Sequence, residues 1–186
     1  MATAAATPYP SRDSARWWEE TRSDTSRLVD WLFDQFRGEA TAASRIERLR
    51  DTYAAPSGRA HRVLTVIAGQ ERRHAEWVAG LLRARGLAPE VRGEPEARYW
   101  ARMLPGIHDL ETGCAVGAHA ERMRLERIEV IAADPTAPED VRDVFARILR
   151  EERFHERAFR ELATPESLER TRDAHALGRE ALGLIP

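Results

Sequence analysis

The sequence predicts an all-α protein: a four-helix bundle with one long crossover connection, plus a C-terminal fifth helix. Two observations predict this fold. Proline and glycine separate long segments whose apolar residues recur at helical spacing, and no segment alternates apolar and polar residues over a useful length. The connections between the segments are short, long and short in chain order, which is the arrangement of a bundle with one crossover.

Four long helices are predicted, each bounded by proline, glycine or a capping residue. They span about residues 24–54, 57–85, 106–133 and 137–163. At the rise of an α-helix, each would be about 40 to 45 Å long. Each carries apolar residues three or four positions apart, so each is expected to bury one face in a shared core.

The rest of the chain supplies shorter elements. Residues 1–22 are predicted to be an N-terminal tail that carries a short helix at 11–20, and residues 23–186 are predicted to form a single domain. Within that domain, the long connection contains a short helical pattern at 96–104, and the fifth helix spans 166–182. The connection brings Tyr99, Trp100 and His108 toward one end of the bundle. They are interpreted there either as part of a substrate pocket or as a packing lid.

Composition argues against several classes of function. No apolar run approaches the roughly 20 residues of a membrane span, and the N-terminus lacks the pattern of a signal peptide. Cys114 is the only cysteine, which excludes an intrachain disulfide and a cysteine metal cluster and favours the cytoplasm. The net charge of −2 does not favour nucleic acid as a partner.

Charged residues interrupt the apolar stripe of every long helix near its middle. Helix two carries Glu71 and His74 there, and helix four carries Glu152 and His155. Glu-x-x-His is a weak motif alone, because a helix surface often exposes such pairs. A charged group in the middle of a buried stripe, however, is costly unless it is paired or bound to metal.

Helices one and three each contribute a single mid-stripe acid, Glu39 and Glu121. Glu39 and Glu71 lie 32 residues apart, and Glu121 and Glu152 lie 31 apart, so the chain is interpreted as two helical hairpins with matching acids. Folded together, the hairpins would bring four carboxylates and two imidazoles to one level of the core. Four carboxylates repel one another there unless cations compensate them, and carboxylate with imidazole suits iron or manganese.

This pattern resembles the ferritin-like superfamily of di-iron carboxylate proteins, and rubrerythrin-type and bacterioferritin-type bundles most of all. The resemblance covers roughly residues 24–163. It implies two iron ions, or alternatively a manganese–iron or manganese pair. It further implies that one metal is bound by Glu39 and His74, that the other is bound by Glu121 and His155, and that Glu71 and Glu152 bridge them.

The resemblance also suggests how the imidazoles are held. In several di-iron oxygenases the acid that precedes a Glu-x-x-His motif bonds the histidine of the opposite motif. The matching positions here are Gln70 and Glu151, which are interpreted either as such partners or as solvent-facing residues.

Some residues depart from the relatives. The cysteine-rich module common in peroxidase rubrerythrins is absent from this chain. Arg124 stands where rubrerythrins often have a second carboxylate, and Arg72 stands where bacterioferritins have a haem-binding methionine, so no haem is expected.

Three functions stay open. The first is a di-iron oxidoreductase that activates O2 or peroxide to oxidise or hydroxylate a small organic substrate, with electrons from an external donor or from the substrate. The second is iron or peroxide handling as a ferroxidase, storage subunit or rubrerythrin-like peroxidase. The third is a hydroxylase of modified tRNA, which the charge balance does not favour. A homodimer is one of the open oligomeric states.

The remaining histidines and acids are discounted as ligands. His119 points away from Glu121 around the helix, and neither His61 nor His175 has an acidic or cysteine neighbour at useful spacing. Glu126 and Glu129 are expected to pair with arginines instead.

Overall fold

A computed structural model describes residues 13–91 and 98–181 of the chain, and all regular structure in this part is helical. The helices are α1 (Ser14–Arg22), α2 (Thr25–Tyr53), α3 (Arg59–Ala84), α4 (Arg98–Met103), α5 (Leu110–Ala133), α6 (Glu139–Leu162) and α7 (Pro165–Ala181), with a 3₁₀ turn at Leu104–Gly106. Helices α2, α3, α5 and α6 are the four long helices. The predicted all-α, ferritin-like bundle with a C-terminal fifth helix is therefore confirmed.

The four long helices pack as two hairpins. Helix α2 packs along α3 and α5 packs along α6, while contacts of α3 with α6 and of α2 with α5 join the hairpins. Ser57, with φ of 63°, lies in the short α2–α3 connection. The crossover between α3 and α5 contains α4, in agreement with the helical pattern at 96–104, of which residues 96 and 97 lie outside the described part.

Two aspartates fix where bundle helices begin. Asp24 accepts hydrogen bonds from the backbone N–H groups of Ser26 (2.8 Å) and Arg27 (3.2 Å) at the start of α2. Asp109 accepts one from the N–H of Thr112 (2.7 Å), and the Thr112 hydroxyl accepts one in return at 3.3 Å. This reciprocal capping box satisfies amide groups that have no partner inside the helix. Because the capping box fixes the first residue of α5, it also fixes the position of each later α5 side chain along the bundle.

Two apolar clusters fill the bundle. One contains Trp31, Leu32, Val78, Ile128 and Phe145 among others. The other contains Ile46, Leu64, Ile67, Ala118 and Phe159 among others. Each of the helices α2, α3, α5 and α6 contributes residues to both clusters. In each helix, the mid-helix acid lies between the residues of one cluster and those of the other.

The three shorter helices pack on the outside of the bundle. Helix α1 packs against α2 and α5, where Trp18 is 2% exposed and its indole N–H donates to Asp134 at 2.9 Å. Helix α4 packs against α7, and α7 packs against α5. Helices α1 and α7 correspond to the predicted helices at 11–20 and 166–182, of which residues 11, 12 and 182 lie outside the described part. No helix in the described part is both long enough and apolar enough to span a membrane.

Candidate metal centre

Four carboxylates and two imidazoles meet in the middle of the bundle. Glu39 comes from α2, Glu71 and His74 from α3, Glu121 from α5, and Glu152 and His155 from α6. All are fully buried except Glu121, which is 7% exposed. Each occupies a position in the apolar stripe of its helix, so helical periodicity itself turns the six side chains inward.

The six residues form two overlapping groups of potential metal ligands. One group is Glu39, Glu71, His74 and Glu152, and the other is Glu71, Glu121, Glu152 and His155. Within each group, one donor atom per residue lies within 4.8 Å of the others. Glu71 and Glu152 belong to both groups, so their carboxylates lie between the two candidate positions.

Each imidazole turns its Nδ1 atom toward these carboxylates. Nδ1 of His74 is 3.6 Å from Oε2 of Glu39 and 3.4 Å from Oε1 of Glu152. Nδ1 of His155 is 3.1 Å from Oε1 of Glu71 and 3.2 Å from Oε2 of Glu152. The two rings are stacked with centroids 5.6 Å apart.

The Nε2 atom of each imidazole contacts a residue that lies outside the carboxylate cluster. Nε2 of His74 lies 2.9 Å from Oε2 of Glu151, and Nε2 of His155 lies 3.0 Å from Oε1 of Gln70. A carboxylate oxygen and an amide oxygen only accept, so each Nε2 is the donor, and in its neutral form each ring then carries its lone pair on Nδ1. Arg73 also donates to Glu151, at 2.8 and 3.0 Å. Gln70 and Glu151 therefore orient the Nδ1 lone pairs toward the cluster.

Arg124 is a member of the cluster that the sequence pattern did not identify. Its Nη2 pairs with Oε1 of Glu39, and its Nε lies 3.2 Å from Oε1 of Glu152. On the sequence alone, Arg124 was only a departure from the rubrerythrin pattern. Its position three residues after Glu121 puts it on the same face of α5, and that spacing is the signal that could have found it.

Burial and mutual repulsion control the protonation of the cluster. Burial, followed by the charge of Glu152, raises the pKa of Glu71 and raises that of Glu121 well above its usual range. Burial opposes ionisation of Glu152 too, but Arg124 and contacts with the two histidines hold its pKa well below the usual range. The four carboxylates thus cannot all ionise together unless more positive charge is supplied.

The cluster fits a pair of divalent cations. Several fully buried atoms have no hydrogen-bond partner within the described part of the chain, namely Oε2 of Glu39, both carboxylate oxygens of Glu71, Oε1 of Glu152 and Nδ1 of His74. Buried polar atoms of this kind are costly unless something binds them. Oxygen and imidazole donors suit iron and manganese, and Arg124 supplies one permanent positive charge against four carboxylates.

The residues discounted from the sequence lie apart from the two candidate ligand groups. Nε2 of His119 lies 3.2 Å from the carbonyl oxygen of Leu168 on α7. The ring of His175 stacks on that of His119, and its Nδ1 lies 2.9 Å from the Tyr99 hydroxyl. Arg179 donates to Glu126 at 3.0 and 3.1 Å, and Arg153 donates to Glu129 at 3.0 Å. The expectation that these two glutamates pair with arginines therefore agrees with the contacts.

One aromatic side chain extends the site outward. The ring of His74 stacks on that of Trp77, one turn further along α3, with centroids 5.5 Å apart. Trp77 is partly exposed, and the guanidinium groups of Arg73 and Arg147 lie 5.7 and 5.3 Å from its ring centroid.

A four-helix bundle with one crossover and a buried cluster of four glutamates and two histidines defines the ferritin-like class of di-iron carboxylate proteins. A family model described as Rubrerythrin matches residues 30–163, which include all six residues of the cluster. The chain belongs to the rubrerythrin family. Searches of the curated proteins and of the solved structures found no match.

Proposed function

We propose that this chain is a non-haem di-iron oxidoreductase that uses O2 or peroxide to oxidise or hydroxylate a small organic substrate. The observation that carries the proposal is a cavity of about 230 Å³ lined by Glu121 and Arg124. Among the four cluster carboxylates, Glu121 alone combines partial exposure with a place in this wall. A centre that only stored iron would not need a mostly apolar cavity beside it.

In this proposal each cluster residue has a defined task. Glu39 and His74 would hold one metal, Glu121 and His155 would hold the other, and Glu71 and Glu152 would contribute to both. When bound, the two metals supply the redox chemistry that activates O2 or peroxide. Glu151 and Gln70 keep the Nε2 protons on the imidazoles, so both Nδ1 atoms stay available as ligands. The apolar clusters on either side exclude water from the centre.

The overall reaction balances with an external electron donor. In hydroxylation, one oxygen atom of O2 enters a C–H bond of the substrate. The other atom leaves as water after uptake of two protons and two electrons, and the donor supplies those electrons. If the substrate instead gives up two electrons and two protons, O2 is reduced to hydrogen peroxide and no donor is required.

A second candidate is peroxide or iron handling, which the family match favours. A peroxidase would reduce hydrogen peroxide to two molecules of water with two protons and two external electrons. A ferroxidase would take its electrons from Fe(II) itself. Both reactions use the same six ligands, so the cluster geometry does not separate them from the oxygenase.

The test is anaerobic loading with Fe(II), followed by exposure to O2 or hydrogen peroxide. Iron per chain, particle mass and oxidant consumed are measured on the same sample. We expect about two irons per chain on a small oligomer. Hundreds of irons in a large cage would overturn the proposal in favour of storage. Glu129→Gln on the exposed side of α5 is the matched control and should load like the unaltered chain.

A further inference from the structure

The cavity beside Glu121 has an unusual wall. It lies between α2, α4 and α5, and much of its lining is apolar or aromatic, including Trp31, Tyr99, Ile128 and Phe159. Three arginines, Arg45, Arg124 and Arg127, line the same space. Glu121 is the one carboxylate in that lining, and Arg124 also contacts Glu39 and Glu152 of the cluster.

Two of these arginines lie over aromatic rings. The guanidinium of Arg45 lies 4.0 Å from the ring centroid of Trp100, and that of Arg127 lies 4.5 Å from the ring centroid of Trp17. Stacking on Trp17 covers the face of the Arg127 guanidinium and leaves the N–H groups along its edge able to bind an anion. An arginine that is already ordered loses less side-chain entropy when a ligand binds.

Arg127 has an unmet hydrogen-bond donor. Its Nε is buried and has no acceptor within the described residues. Burial, reinforced by repulsion from Arg179, lowers the pKa of Arg127, while the charges of Glu126 and Asp34 act in the opposite direction. Nε of Arg124 is also buried without a hydrogen-bond partner in the described part, but the Arg124 guanidinium already contacts the carboxylates of Glu39 and Glu152. An anion in the cavity would therefore gain most from Arg127.

The shape of the space limits the size of the ligand. Its volume of about 230 Å³ lies below the roughly 300–1,000 Å³ of sites for drug-sized molecules. A second cavity of about 310 Å³ shares Arg45, Trp100, Gly117 and Phe159 with the first and reaches Tyr53, which is 38% exposed. A small molecule could thus be held near Glu121 and approach from the Tyr53 side.

From this wall we propose that the cavity binds a small organic carboxylate, with its anionic group on Arg127 and its apolar body against the aromatic lining near Glu121. A planar guanidinium edge matches the two oxygens of a carboxylate. The inference deepens the proposed function, on which it rests, by assigning the chemical class of the substrate. It needs no oxidation step of its own, because it concerns binding alone.

The test uses three carboxylates of increasing bulk: hexanoate, cyclohexanecarboxylate and 3-phenylpropanoate. Each is compared by calorimetric titration with its own uncharged primary amide, on the full chain without metal and again with Mn(II) bound. We expect at least one acid to bind about tenfold or more tightly than its amide, as for a charge-assisted hydrogen bond in a buried setting. If none of the three acids binds more tightly than its amide, the proposal is overturned.

Arg127→Met removes the charge while keeping much of the side-chain volume. It should weaken the tightest acid about tenfold and leave the amide unchanged. Arg157→Met, at an exposed position on α6, is the control and should bind as the unaltered chain does. Equal affinity in the Arg127 and Arg157 variants would also overturn the proposal, and the acid–amide comparison on the unaltered chain needs neither variant to fold.

The two titrations separate this inference from the proposed function. If Mn(II) fails to bind at the cluster, the proposed function falls, while the metal-free titration still measures the cavity. If Mn(II) binds but no acid binds more tightly than its amide, the carboxylate proposal is overturned, while the proposal of a metal centre is retained.

Discussion

Nε2 of His74 on α3 lies 2.9 Å from Oε2 of Glu151 on α6, and His155 on α6 makes the reciprocal contact with Gln70 on α3. Each candidate histidine ligand is thus oriented by the residue that precedes the opposite Glu-x-x-His motif. The two motifs hold each other across the α3–α6 interface.

Glu151→Ala should weaken metal binding by about 10- to 100-fold, because the His74 ring loses the acceptor that orients its lone pair. Glu151→Gln keeps an acceptor and should recover most of the affinity. Co(II) titration measures the affinity, and its absorption spectrum reports the ligand geometry. Glu156→Ala on the same helix is the control. If Glu151→Ala bound Co(II) as tightly as that control, an orienting role for Glu151 would be excluded.

Glu71→Ala and Glu152→Ala should each abolish binding of both metals, because each carboxylate belongs to both candidate ligand groups. Glu39→Ala should lose one metal and keep the other, because Glu39 belongs to one group only. Metal per chain is measured by elemental analysis after dialysis, and circular dichroism checks that each variant is helical. A Glu71→Ala or Glu152→Ala chain that still bound two metals would contradict the assignment of these two residues as bridging ligands.

The pattern of mid-stripe acids explains why so much of this centre could be predicted. Glu39, Glu71 and Glu152 interrupt otherwise apolar stripes, and burial of a bare charge is too costly to be accidental. Arg124 follows the same stripe, but arginine is the only basic residue type in this chain, so one more arginine carried little signal.

The sequence left open whether Tyr99, Trp100 and His108 form part of a pocket or a packing lid. Tyr99 and Trp100 line the cavity near Glu121, and His108 lines neither of the two cavities described. The sequence did not settle this, because it depends on how α4 packs against α5 and α7.

Asp109→Ala should destabilise the chain by about 0.5–2 kcal/mol, because it removes the N-terminal cap of α5. Hydrogen bonds from Thr112 lower the pKa of Asp109 below its ordinary value of 3.8. A lowered folded-state pKa means that the cap contributes fully above that ordinary value and loses its contribution as the pH falls through the folded-state pKa. The difference in free energy of unfolding between variant and unaltered chain should therefore be constant near neutral pH and shrink below about pH 4.

Urea unfolding at several pH values measures this difference. Asp173→Ala, at an exposed position in α7, is the control and should change stability little. A stability difference for Asp109→Ala that persisted unchanged to pH 3 would mean that the ionised cap is not its source.

Gly117→Ala should destabilise the chain by about 1–3 kcal/mol, because the new methyl group meets a rigid ring. A Cβ at this position would lie 2.7 Å from Cδ1 of Phe159, closer than the two atoms can approach. Thermal unfolding measures the loss, and metal per chain should stay at two because Gly117 is in neither ligand group. Gly69→Ala on α3, where a Cβ meets nothing within 4 Å, is the matched control. Equal melting temperatures for the two variants would contradict the packing argument.

Because His74 stacks on Trp77, Trp77 can serve as an intrinsic fluorescence probe of metal binding. A transition-metal ion bound at Nδ1 of His74 would lie one imidazole away from an indole, close enough to quench its emission. The other described tryptophans are on α1, α2 and α4, on different helices from the imidazoles. The emission lost in a Trp77→Phe variant therefore isolates the Trp77 signal. Filling of one half of the centre can then be followed in real time without labels.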